Sequence, residues 1–170
     1  MKKIIEVPHW IQYYDIKDDK WQDRSCGIVS LAMLMEYYGI EVDVESLIEL
    51  GLKKDGYLKG IGWKHQVICD LAKHFGLQSY RSENETIEKL MESLEKDEPV
   101  IISIHKDFDQ TKGGHLIVLN GYYVSNEELL GFYLNDPIGA SYKHKNQFIE
   151  LKKFEQGWKK RAIYVTKARE

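Results

Sequence analysis

Trp21-Gln-Asp-Arg-Ser-Cys-Gly-Ile-Val-Ser-Leu-Ala-Met-Leu-Met-Glu-Tyr-Tyr-Gly39 is a polar loop that turns into a long apolar helix, with one thiol, Cys26, at the junction. Ile28, Val29, Leu31, Ala32, Met33, Leu34 and Met35 leave almost no polar face before Glu36. The helix is therefore expected to be buried on most sides, between a helical half and a sheet. A helix N-terminus offers orphan N–H groups and the positive end of a dipole, both of which favour an anion. A cysteine placed there has a lowered pKa and a usable thiolate at neutral pH, which makes Cys26 a candidate nucleophile. Ser25 is the expected N-cap, which would set where the helix starts and so the aim of the thiol.

Helical patterns continue outward from this run: Asp43 to Leu50 ended by Gly51, Gly62 to Phe75 ended by Gly76, and Thr86 to Leu94. From Pro99 the pattern changes to short β-rich runs separated by turn-forming stretches. These runs are Val100–His105, His115–Tyr123, Gly131–Asn135, Phe148–Lys152 and Arg161–Thr166. Helices first and strands afterwards indicate an α+β fold, with a helical half over about 1–97 and an antiparallel sheet over about 98–170. One domain spanning 1–170 is expected, since 170 residues with 43% hydrophobic content supply one core and no linker or repeat divides them.

Composition excludes several function classes. With 24 basic and 27 acidic side chains, net charge −3, there is no basic face to neutralise phosphates, and nucleic acid is not an expected partner. Lys152-Lys153 and Lys159-Lys160-Arg161 read as ordinary solvated charge. Only two cysteines occur; Cys69 fits the buried face of an amphipathic helix, so neither a disulfide framework nor a Cys-x-x-Cys redox pair is expected. Lys2 and Lys3 precede only a short apolar stretch before Glu6 and Pro8, which makes neither a signal peptide nor a membrane span, and a cytoplasmic location is expected. His65 and His74 are too far apart to ligate from one helical face, and His9, His105 and His144 have no nearby ligand set, so no metal is expected. Gly56–Gly62 lies between helices without the strand that a nucleotide-binding loop requires, and no cofactor is expected.

A hydrolytic thiol needs a base, and the base needs an orienting group. His115 follows Gly113-Gly114 and opens an apolar strand, which puts an imidazole beside close-approaching backbone; a structural histidine capping the strand fits this context equally. Asn135-Asp136-Pro137 closes another predicted strand, so Asp136 could accept the imidazole's hydrogen bond from a neighbouring strand, although an Asp-Pro pair by itself is ordinarily a turn.

Taken together, Trp21-x4-Cys26-Gly-x-x-Ser-Leu-Ala-Met, Gly114-His115 opening a strand that ends Asn120-Gly-Tyr122, and Asn135-Asp136-Pro137 resemble the C39-like group of papain-like cysteine peptidases over about Val7 to Val165. The resemblance implies a papain-like fold, a Cys26-His115-Asp136 triad, and a glutamine that stabilises the oxyanion. That role is carried to Gln12, in Val7-Pro-His-Trp-Ile-Gln-Tyr13, with Gln22 as the competitor. Ile28 departs from relatives that carry proline after Cys-Gly, which touches only the first helical turn. The implied chemistry is acyl transfer from a peptide or protein substrate through a thioester, without a cofactor. The removal of leader peptides after a Gly-Gly pair, known for transporter-fused relatives, is not carried over, because this chain shows no membrane segment or ATPase.

Three functions stand at this stage: a cysteine peptidase, another thiol acyl-transfer enzyme such as a transpeptidase or deamidase, and a non-catalytic peptide-binding module. Trp10, Tyr13, Tyr14, Trp21, Tyr57 and Trp63 could line a peptide cleft or simply cover the core.

Overall fold

The computed structural model describes residues 1–139 and 144–168. The chain opens with a short strand, β1 (Lys2–Ile4), and two one-turn helices, α1 (Gln12–Asp15) and α2 (Asp19–Gln22). Next comes α3 (Cys26–Tyr37), whose residues from Ile28 to Met35 are all 0% exposed, as an all-round apolar helix requires. Gly39, at φ +81°, ends it: its N–H donates to Glu36 O and that of Ile40 to Met35 O, both at 2.9 Å, a Schellman stop that needs a left-handed residue. Ser25 occupies the N-cap position without capping. Its backbone (φ −124°, ψ 29°) is not the extended form that aims a hydroxyl at the first turn, and its Oγ is buried with no partner among the described residues.

α4 (Val44–Lys53) is capped by Asp43, whose Oδ1 accepts from Glu45 and Ser46 N–H. A small hairpin follows, β2 (Tyr57–Leu58) paired with β3 (Gly62–Trp63), and then α5 (His65–His74). The helix expected to begin at Gly62 starts three residues later, because Gly62 sits at φ +131° and Trp63 is paired to Tyr57. β4 (Leu77–Ser82) and α6 (Ile87–Glu95) complete the first half, followed by β5 (Val100–His105), a 3₁₀ turn at Lys106–Phe108, β6 (Gly114–Ser125), β7 (Glu128–Asn135), β8 (Gln147–Glu150), α7 (Leu151–Gly157) and β9 (Trp158–Lys167).

The fold is α+β, with an antiparallel seven-stranded sheet in which six strands run in the order β4-β9-β5-β6-β7-β8 and β1 is added beside β6. β6 pairs β7 along one edge; along the other it pairs β5 through its first half and β1 through its second. The two halves are less clean than the expectation. β1, β4 and the β2–β3 hairpin fall among the helices, and α7 falls among the strands. β4 carries a single strongly apolar inward residue, Leu77, and is made a strand by pairing with β9 some eighty positions away. In α7, Leu151 and Phe154 lie three apart on one side, and Gly157 packs against Phe108, so the predicted strand stops at Glu150.

At Gly121, opposite Ile4 of β1, any Cβ would collide with the carbonyl oxygen of Lys3. Gly121→Ala should displace β1 and cost about 1–3 kcal/mol in urea denaturation. It should also speed hydrogen exchange at the Ile5 amide, which donates to Asn120 O at 2.7 Å.

Candidate active site

Cys26 is the first residue of α3, so its N–H lies among those with no partner inside the helix. Its side chain is partly exposed, and its Sγ accepts the Leu116 N–H at 3.4 Å. Four residues along the same helical face, Ser30 Oγ donates to Leu116 O at 3.3 Å, so one residue of β6 is held at both backbone groups by α3. Gly27 lies under that contact, where a Cβ would come within 2.9 Å of Leu116 Cδ1. The long apolar helix and the start of β6 are thus clamped in one register.

That register puts His115, the residue before Leu116, beside the thiol. The imidazole Nε2 donates to Asp136 Oδ1 at 2.7 Å, which leaves Nδ1 as the nitrogen that hydrogen-bonds Cys26. Asp136 directly follows β7, the neighbour of β6, and its carboxylate also accepts the Ile138 N–H at 2.9 Å. The turn made by the Asp-Pro pair is therefore what aims the carboxylate. The three residues that sequence reading singled out separately are in contact.

The electrostatics follow from burial and pairing together. Burial pushes the Cys26 thiol up, but the hydrogen bond and charge of His115, aided by the Leu116 N–H, outweigh it and hold the thiol below its ordinary value. Burial likewise opposes the charge on His115; Asp136 and Cys26 overcome it and push the imidazole up to about 10. Asp136, also opposed by burial, is held below the usual carboxylate range, chiefly by His115. Cys69 is the contrast, since it is fully buried and burial carries its thiol upward.

Gln12, at the start of α1, is 1% exposed and lines a cavity of about 460 Å³ together with Cys26, His115, Tyr57 and Ile138. Its Nε2 donates to Gln22 O at 2.6 Å and retains a second hydrogen, because an amide nitrogen carries two. Gln22 does not line this cavity; its own amide donates to Ile16 O at 2.9 Å and braces the α1–α2 loop.

Sequence reasoning missed how this segment is held. Asn135 Nδ2 donates to Val7 O at 3.1 Å, His9 Nε2 to Asp136 O at 2.8 Å, and Gln12 N–H to Pro137 O at 2.8 Å. The N-terminal segment is laced onto the turn that carries Asp136, and His9, which had no sequence neighbour to suggest a role, is one of the stitches. Of the aromatic residues, Trp21, Tyr57 and Trp63 pack on one another with centroids 5.0–5.7 Å apart. Tyr57 and Trp63 line the cavities around Cys26, Tyr13 and Tyr14 face solvent, and Trp10 bonds Glu36.

The paired titrations give a signed expectation. The raised imidazole contributes stability in full below about 6.5 and loses it as pH rises through about 10. The lowered thiol contributes in full above about 9 and loses its share as pH falls through its depressed value. Changing Cys26 to Ala removes the thiol's share, so as pH rises toward 9 the urea midpoint of that variant should fall relative to wild type. Iodoacetamide should label Cys26 well below pH 7 in wild type and only near pH 8.5 in His115→Ala, with Cys69 unreactive.

A model of the Peptidase_C39 like family matches residues 4–164. Among solved structures, a protein described as a C39-like peptidase from Bacillus anthracis is 24% identical, with all of both chains covered and a TM-score of 0.77. A double glycine motif protease from an AMS/PCAT transporter, in complex with its leader peptide, is 20% identical over 99% of each chain, with a TM-score of 0.65. The peptidase domain of Streptococcus ComA is 19% identical over 86% of this chain and 93% of that one, also at 0.65. At these identities the three structures speak to the fold, which they share with this chain. A search of curated proteins found no match. Matched along nearly its whole length by the family model, the chain belongs to the Peptidase_C39 like family.

Proposed function

We propose that the protein is a cysteine peptidase that hydrolyses a peptide or isopeptide bond through a Cys26-His115-Asp136 triad, with Gln12 in the oxyanion hole. The observation that carries this reading is the line from the thiol of the partly exposed Cys26 through His115 to the largely buried Asp136 carboxylate, which His115 meets at 2.7 Å. Family membership supports a peptidase, and the leader peptide bound by one structural relative supports a peptide as the substrate class.

In this reading Cys26 Sγ attacks the substrate carbonyl carbon and a C–S bond forms. The negative charge on the carbonyl oxygen is met by the free N–H of Cys26 and the spare hydrogen of Gln12 Nε2. The imidazolium of His115 gives its Nδ1 proton to the leaving amine as the C–N bond breaks. A water molecule, deprotonated by the now neutral imidazole, adds to the thioester; the C–S bond breaks, the acid leaves, and the thiolate–imidazolium pair is restored. Asp136 stays ionised and holds the ring in one tautomer throughout.

In a fluorogenic-peptide assay, Cys26→Ala should abolish turnover, and full activity in that variant would overturn the proposal. Gln12→Ala should lower kcat by about 100- to 1,000-fold, the usual loss for one oxyanion donor. Product that forms only with an added amine acceptor, or with release of ammonia, would reassign the same thioester chemistry to a transferase or a deamidase.

A further inference from the structure

Two cavities flank the nucleophile, and they differ in charge. The one on the Gln12 side is mixed: the carboxylate of Asp23 lines it along with Arg24, Lys59 and Lys106, and Asp23 pairs with Arg24 at 3.6 Å. The other, about 280 Å³, also holds Cys26 and His115, but among the described residues no acidic side chain lines it; His65, Lys159 and Arg161 are its other titratable groups.

The strand that supplies two of these cations is irregular at that point. β9 pairs Ala162–Tyr164 with Ile102–Val100 and Arg161 with Ser103, but Ile104 is met by Trp158, so Lys159 and Lys160 bulge out of the ladder. Lys160 takes φ +56°, a conformation that costs a side-chain-bearing residue, and is held there by the Glu85 N–H donating to its carbonyl at 2.9 Å. Trp158 Nε1 closes the bulge on Arg161 O at 3.2 Å. Bulges beside active sites re-aim side chains, and this one brings the Lys159 ammonium within 3.3 Å of where a Cβ on Gly114 would stand, next to His115. Among the described residues, neither Lys159 nor Arg161 has a carboxylate within ion-pair distance. Glu83, the acid that faces His65, is taken by Arg81 at 3.4 Å. Burial and the charges of Arg161, Arg81 and Lys159 keep His65 below its usual value, which reflects how closely the cations gather.

The geometry points to a carboxylate-recognition subsite in which Lys159 and Arg161, projected by the β9 bulge, bind an anionic group of the peptide beside the bond that Cys26 attacks. It rests on the peptidase reading of Cys26. A planar guanidinium and a mobile ammonium suit a carboxylate, and a cationic cleft wall concentrates such ligands next to the thiol.

The test compares alkylation of Cys26 by iodoacetate, an anion, and by iodoacetamide, its neutral counterpart, read by peptide mapping at pH 6 and pH 9. Taking the ratio of the two rates cancels changes in thiolate fraction. In Lys159→Gln/Arg161→Gln that ratio should fall by about tenfold at both pH values, the low end for a focusing cleft. Lys152→Gln/Lys153→Gln, which removes the same charge from α7, should leave it unchanged. An equal ratio in wild type and the Lys159/Arg161 variant overturns the subsite. An ordinary-thiol pH profile with a ratio that still falls instead removes the peptidase reading and leaves the subsite standing. Slower iodoacetamide labelling with acetyl-Gly-Gly-Glu-Gly-amide assigns the site to an acidic side chain, and with acetyl-tetraglycine free acid to a chain end. No more protection from either than from the glutamine analogue of the first peptide counts against the site.

Discussion

The catalytic geometry proposed here depends on how α3 grips the first residues of β6. Leu116 donates its N–H to Cys26 Sγ and accepts at its carbonyl from Ser30 Oγ, and these two α3 residues stand one helical turn apart on the same face. Gly27, without a Cβ, leaves room for the Leu116 side chain against α3. From Gly27 to Met35 α3 is sealed in the core, which leaves the helix little freedom to slide. A thiol at its N-terminus and an imidazole at residue 115 are therefore held together by backbone and core rather than by their mutual attraction.

That rigidity matters because the charged groups are poorly solvated. His115 is 6% exposed and Asp136 lies close behind it, so each charge offsets part of the cost of burying the other. The fold supplies compensation from several directions: the Ile138 N–H on the carboxylate, the His144 carbonyl accepting the Asp136 N–H, and His9 on the Asp136 carbonyl. The strap that carries His9 also carries Gln12, whose N–H binds Pro137 O. One turn, at Asn135-Asp136-Pro137, thus sets both the orientation of the His115 imidazole and the position of the proposed oxyanion donor.

The surroundings of the thiol are built from elements remote in sequence. The β2–β3 hairpin contributes Gly60–Gly62 to both cavities, β6 divides them at Gly114 and His115, and the β9 bulge gives one of them its positive wall. Trp63, packed on Trp21 and donating its indole N–H to Arg24 O at 3.0 Å, ties the hairpin to the loop that leads into α3.

What the sequence determined by itself is what depends on local periodicity and local chemistry. The apolar run after Cys26 has no polar face, so burial of α3 follows wherever the chain puts it, and Gly39 stops it for a reason visible in the tripeptide around it. The short β-rich runs after Pro99 likewise marked the central strands. Cys26, His115 and Asp136 were legible only as an ordered set, since each alone has an ordinary structural explanation. Tertiary structure decided what depends on pairing at a distance. β4 is a strand because β9 lies beside it, and the hairpin displaces the first turn of a predicted helix because Trp63 meets Tyr57. His9 gains its role from a turn 127 residues away, and Lys159 and Arg161 read as solvated charge until the pairing of β9 with β5 places both on a cavity that also holds Cys26. Register and long-range contact are properties of two segments at once, so no single stretch of sequence records them.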